Sequence, residues 1–136
     1  MIIDTSALIA VLYEEDHAAE LRHALLSEVC CIPAPAVLEF LRVADLRSAG
    51  LGAIARDMLE DLVRNGTGIV PFDAGHARIA AEANAQQGKG MGQGGKLNML
   101  DLMVYAVAKE RGEPLLCTGK DFAASDLRIH SASRAW

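Results

Sequence analysis

Met1-Ile2-Ile3-Asp4-Thr5-Ser6-Ala7-Leu8 opens the chain with apolar residues, one acid and two hydroxyls, and an almost unbroken apolar run follows to Tyr13. A short apolar run closed by Asp-Thr-Ser predicts a buried strand that feeds directly into a capped, buried helix. Val29 to Ile32 repeats the strand signal, and Pro33-Ala34-Pro35 starts a helix expected to run to about Ser48, with Gly50 as its stop. Apolar stripes predict amphipathic helices over residues 16–27, through Ala18, Leu21 and Leu25, and over residues 51–63, through Leu51, Ile54, Ala55, Met58, Leu59, Leu62 and Val63. Gly68 to Phe72 is a third strand, and Ala74 to Gln87 an alanine-rich helix. The segment from Gly88 to Lys96 holds five glycines and is expected to be a mobile loop. A helix from Leu100 to Arg111, capped by Asn98, then leads to a fourth strand over Pro114 to Thr118. A fifth strand over Asp126 to His130 precedes a short tail ending at Trp136. Strands alternating with helices predict the α/β class, a three-layer sandwich around a parallel sheet of four or five strands.

At 136 residues and 51% hydrophobic content, the chain suits one core, so residues 1–136 are expected to form a single domain. Its cysteines, Cys30, Cys31 and Cys117, are odd in number and lack metal-ligand or redox spacing. They imply reduced, buried thiols and a cytoplasmic protein. No signal-like leader and no apolar run of about 20 residues occurs, so no membrane association is expected. The net charge of −5 argues against nonspecific, tight nucleic-acid binding through the protein surface alone.

Functional residues of open parallel sheets gather where strands end and helices begin. Asp4 stands at such a place, Glu39 about one turn into the helix after the second strand, Asp101 at the start of the helix after the glycine segment, and Asp121 after the fourth strand. Two carboxylates at ~4 Å repel by about 4 kcal/mol at an effective dielectric near 20, so four gathered acids require protons or a cation. Oxygen-only donors select a hard ion, Mg²⁺ or Mn²⁺, and such ions accept phosphate oxygens. Each acid also has a local alternative. Asp4 can cap the first helix, Glu39 can pair with Arg42, Asp101 can close a capping box with Asn98, and Asp121 can serve a turn.

These residues carry a resemblance that spans nearly the whole chain. Met1-Ile2-Ile3-Asp4-Thr5-Ser6-Ala7-Leu8, Ala36-Val37-Leu38-Glu39, Gly88-Lys89-Gly90, Leu97-Asn98-Met99-Leu100-Asp101, Tyr105-Ala106-Val107-Ala108, Pro114-Leu115-Leu116 and Gly119-Lys120-Asp121-Phe122 resemble, in order and spacing, the PIN-domain family and its VapC-type toxins of bacterial toxin–antitoxin pairs. The resemblance implies a metal-dependent endoribonuclease that cuts single-stranded or looped RNA, with Mg²⁺ or Mn²⁺ as cofactor. Asp4 and Asp101 would be its primary ligands, Glu39 a second-ion ligand or water-orienting group, and Asp121 the completing acid, with Asp126 in reserve. Ser6 and Thr118 match supporting polar positions, and Lys89, Lys96 and Lys120 are candidate RNA contacts. A homodimer and a cognate antitoxin are the implied partners. The chain departs from many relatives at Leu100, where they have Gly, and at Gly119, where they have an acid. The alternative is a PIN-like module that binds RNA or protein with little catalysis.

Other readings are weaker on the residues. Gly90 to Lys96 has GxxxxGK spacing, but Leu97 stands where a phosphate loop needs Ser or Thr, and the segment follows a helix rather than a strand. An aspartyl phosphatase would need an acid where Ser6 stands. His17, His23, His76 and His130 have no ligand spacing for zinc.

Overall fold

A computed structural model describes residues 1–133, so the tail ending at Trp136 lies outside the described residues. Its four strands, β1 (Ile2–Ile3), β2 (Cys31–Pro33), β3 (Gly68–Val70) and β4 (Leu115–Leu116), form one sheet in the order β3-β2-β1-β4, with every pairing parallel. Ile2 aligns with both Cys31 and Leu115, and Ile3 with Leu116. Successive strand residues point to opposite faces. Ile2 and Ile3 are both fully buried, as are Leu115 and Leu116, so helices cover the sheet on both sides. This is the expected three-layer arrangement.

The helices are α1 (Thr5–Leu12), α2 (Ala18–Ser27), α3 (Ala34–Arg47), α4 (Ala49–Arg64), α5 (Ala74–Gln87) and α6 (Met99–Arg111). Phe40 on α3, Leu8 on α1, Leu21 on α2 and Val104 and Val107 on α6 fill the centre of the core. None of the described helices is long and apolar enough to cross a membrane.

Two expectations need correction. Gly50 does not stop the third helix. Ser48 breaks it in an extended conformation, and its hydroxyl accepts the Leu51 N–H at 3.1 Å to start α4, which contains Gly50. A hydroxyl that can satisfy a free amide is the stronger signal at this junction. The fifth strand shrinks to one bridge, Leu115 to Ile129, held by Leu115 N–H to Arg128 O at 2.9 Å and His130 N–H to Leu115 O at 2.8 Å.

His76 fastens α5 to α6. Its Nδ1 accepts the Asp73 N–H at 3.1 Å, which leaves Nε2 to donate to Glu110 at 2.7 Å, while Asp73 caps the helix through the His76 N–H. The ring is 3% exposed and stacks on Phe72. His76→Ala should therefore lower stability by about 2 kcal/mol in urea unfolding, from the loss of the Nδ1 half of the capping box and of a bond to a charged group. A change below about 0.5 kcal/mol, the range of neutral surface substitutions, would contradict this linkage.

Candidate active site

Strand order reverses at β1, which leads to β2 and β3 on one side and has β4 on the other. The crevice outside the carboxyl ends of β1 and β4 is thus the switch point where open parallel sheets bind ligands. Asp4 ends β1 there, and β4 leads into Cys117 and Thr118. The Asp4 N–H bonds to Leu116 O at 2.9 Å, which locks the two strand ends together.

Asp4 is 6% exposed, and its Oδ2 accepts the Ser6 N–H at 2.9 Å and the Ser6 hydroxyl. It is the N-cap of α1, so the local reading of this acid is correct. That role engages Oδ2 and supplies no positive charge. Among the described residues no ion pair includes Asp4, Glu39, Asp101 or Asp121. Burial raises the Asp4 pKa, the Ser6 hydrogen bonds oppose that rise, and the charge of Glu39 adds to it.

Asp101 occupies the first turn of α6, where its Oδ2 accepts the Asn98 N–H at 2.8 Å and the Asn98 side chain accepts from Leu100 and Asp101. The capping box is real, and it too uses one carboxylate oxygen. The Asp101 carboxyl is pushed up to about 6, first by burial and then by the charges of Asp4, Asp121 and Glu39, against the pull of the Asn98 bond. Glu39 is half-buried on α3 and makes no ion pair with Arg42 among the described residues. Thr5, at the start of α1, donates to Ala36 O at 3.3 Å and so holds the α3 turn that precedes Glu39. Asp121 is exposed on the turn after β4. The four acids thus share one electrostatic neighbourhood at the switch point.

Among the described residues no three His, Cys, Asp or Glu side chains stand close enough to grip an ion directly. Bonds from Ser6 and Asn98 hold two of the acids in place. The donor set nevertheless fits a hard divalent cation: every group is an oxygen acid, one is buried without a counter-charge, and each raises the cost of ionising Asp101.

Ser6 does more than cap. Its Oγ accepts the Thr118 N–H at 2.9 Å while donating to Asp4, joining β1 to β4 through one hydroxyl. Gly119 has φ +79, a conformation that favours glycine over the acid found in many relatives. Asp126, the acid in reserve, accepts from Tyr105 OH at 2.7 Å on one oxygen and from Lys109 on the other. That network, with buried Phe122, pins the 119–126 turn onto α6. Tyr105 and Lys109 lie four residues apart on one helical face, the signal that sequence reading left unused.

Lys89, Lys96 and Lys120 are exposed and enter no ion pair among the described residues. Lys120 adjoins Asp121, and Lys96 lines a cleft with it, whereas Lys89 lines a separate groove between α5 and α6. Cys117 was not singled out as a site residue, yet it lies against the acids. Burial and then the charge of Asp4 push its thiol up to about 12, which keeps it protonated.

The PIN-domain family model matches residues 1–126. Ribonuclease VapC42 of Mycobacterium tuberculosis is 35% identical over 130 residues, which cover 94% of this chain and 97% of that protein. Ribonuclease VapC28 of the same species is 38% identical over 124 residues, covering 90% and 91%. Among solved structures, the crystal structure of M. tuberculosis VapC20, described as a sarcin-ricin loop cleaving toxin, superposes with a TM-score of 0.72 at 15% identity, over 93% of this chain and 95% of that one. A toxin–antitoxin complex from Klebsiella pneumoniae gives 0.70 at 18% identity, over 98% of each chain.

Proposed function

The chain belongs to the PIN-domain family, among its VapC ribonucleases, and from that premise we propose that it is a toxin endoribonuclease dependent on Mg²⁺ or Mn²⁺. The observation that carries the metal requirement is Asp4: a buried carboxylate at the topological switch point, with no ion-pair partner among the described residues and with Glu39 and Asp101 in its field.

Asp4, Glu39, Asp101 and Asp121 would hold the ion. A bound divalent cation supplies Lewis acidity toward the phosphodiester and a positive charge that an acidic protein otherwise lacks at that point. The chain's own residues do the remaining work. Ser6 and Asn98 orient Asp4 and Asp101 through N–H donors, so these acids are held in place before substrate arrives. Glu39, half-buried on α3, would hold a second ion or orient the attacking water. Lys96 and Lys120 flank Asp121 and would hold backbone phosphates.

An antitoxin and a second copy of the chain complete the proposal. Two apolar grooves support it. One lies between α5 and α6, beside the exposed Met99, and the other lies between α2 and α4, rimmed by Glu14, Asp57 and Asp61. Two of those acids already pair, Glu14 with Arg22 and Asp61 with Arg64, so the second groove offers a partner helix mainly its apolar floor.

The test is RNA cleavage by protein purified free of any antitoxin. Cutting is expected with Mg²⁺ or Mn²⁺ and none is expected in excess EDTA. Cleavage that persists in EDTA refutes the metal requirement, and absence of cutting under every condition favours the binding-module alternative.

A further inference from the structure

Where α5 ends, the glycine segment folds back on the helix instead of leaving it. Gly88 and Leu97 form a parallel bridge, with the Lys89 N–H bonded to Leu97 O at 2.9 Å and the Leu97 N–H to Gln87 O at 3.0 Å. Gly95 rests on the Gln87 backbone so closely that a Cβ would lie 2.3 Å from the Gln87 carbonyl carbon and oxygen. Only glycine fits there. This closed loop faces the turn that carries Asp121, and between the two lies a cleft of about 140 Å³.

The cleft wall carries the carboxamides of Gln86, Gln87 and Gln93, the ammonium of Lys96 and the carboxylate of Asp121. Ser125 also lines it, but its hydroxyl is bonded to Phe122 O at 2.8 Å. The Gln87 side chain hydrogen-bonds to the buried Tyr105 and its Oε1 has no solvent access, so the groups a ligand can reach are those of Gln86, Gln93, Lys96 and Asp121. The wall shared with Asp121 sets the cleft against the acid site, because the charge of Asp121 reaches Asp101. On the ribonuclease reading, an RNA strand whose phosphodiester lies at the acids would bring a small planar base to this cleft. Carboxamides pair in bidentate fashion with nucleobase edges, and single-stranded RNA can splay a base out to be read in this way. No aromatic side chain lines the cleft, so recognition falls to hydrogen bonds rather than stacking.

We propose that this cleft is a base-recognition pocket, taking one nucleobase of the RNA strand adjacent to the scissile phosphodiester, with Gln86 and Gln93 reading its edge and Lys96 holding the neighbouring phosphate. The inference rests on the ribonuclease reading and deepens it by assigning part of its sequence preference to residues outside the acid cluster.

The experiment uses the full chain, wild type and the Gln86→Ala/Gln93→Ala double variant, whose altered side chains are both exposed. Binding of four cleavage-resistant RNA homotetramers is measured by fluorescence anisotropy, and cut sites in random-sequence RNA are read by sequencing. Wild type should favour one base. The double variant should lose that preference by about tenfold, equivalent to about 1.4 kcal/mol, while its affinity for the least favoured tetramer stays within about threefold and its melting temperature is unchanged. Equal binding of all four tetramers by wild type, or a preference that survives the double substitution, overturns the pocket. A glutamine-dependent base preference without any cutting supports the pocket and sinks the ribonuclease reading. Cutting with no base preference does the reverse.

Discussion

Asp101→Asn should melt higher than wild type in metal-free buffer at pH 8, yet cleave RNA about a thousandfold more slowly, the rate equivalent of about 4 kcal/mol of lost transition-state stabilisation. The stability half follows from linkage. In the folded protein the Asp101 carboxyl titrates at about 6, against 3.8 for the unperturbed group. The folded state therefore holds this proton more tightly, and between about pH 4 and pH 6 unfolding releases it, so stability falls as pH rises through that window. Below pH 4 both states are protonated and no cost exists; above about 6 the cost is constant. Asparagine cannot ionise, so its advantage should open between pH 4 and 6 and then level off. Its amide oxygen can still accept the Asn98 N–H that begins α6. It forfeits the attraction of a carboxylate for the helix N-terminus, about 0.3–1 kcal/mol, which trims the gain. Scanning calorimetry in EDTA at pH 4, 5, 6 and 8 checks this profile. Saturating Mg²⁺ should then reverse the ranking, since a ligand at a hundred times its Kd adds about 2.7 kcal/mol to the protein that binds it. A variant that melts below wild type at pH 8 in EDTA, or that cuts as fast, contradicts the assignment.

A residue that makes the apo-protein less stable and its chemistry faster is a site residue rather than a scaffold residue, and this bears on how the acids were legible. In the sequence, Asp4 and Asp101 each offered a capping role as the alternative to a metal role. The two roles are compatible in the structure, because a carboxylate has two oxygens and the cap uses Oδ2 in both cases. The expectation for α5, Ala74 to Gln87, matches the structure at both ends because Asp73 caps one and Gly88 ends the other within a few bonds of the chain. Strand limits were less legible. Val29 to Ile32 was expected where β2 runs Cys31–Pro33, and Asp126 to His130 where a single bridge exists, since pairing depends on neighbours distant in sequence. The same reason hid the role of Asp126, which is decided by Tyr105 on a helix packed beside it. The glutamine cleft was invisible for a further reason. It is assembled from the end of one helix, a glycine segment and a turn more than 25 residues later, three stretches with no shared periodicity.

Ser6→Ala should lower the turnover of RNA cleavage by about ten- to a hundredfold, the scale seen when a group that orients a ligand is removed, and should leave the KM for RNA nearly unchanged. The hydroxyl touches both strand ends at the switch point, donating to Asp4 and accepting the Thr118 N–H at 2.9 Å across 112 residues of chain. Alanine keeps the backbone N–H that bonds to Asp4 at 2.9 Å, so the start of α1 survives. What it loses is the tie that sets the Asp4 carboxylate against β4, together with the partner of the half-buried Thr118 amide. The loss of stability should be about 1–3 kcal/mol, the cost of leaving such a donor unsatisfied. Ser6→Thr restores a hydroxyl at the same place and should recover most of the turnover. A general loosening of the fold would lower turnover and raise KM together in the alanine variant, and threonine would rescue it only as far as it rescued the melting temperature. If Ser6→Ala cuts RNA at the wild-type rate while Asp101→Asn does not, the carboxylate of Asp4 needs no help from β4. The crevice between those two strands would then have to be replaced as the centre of the site.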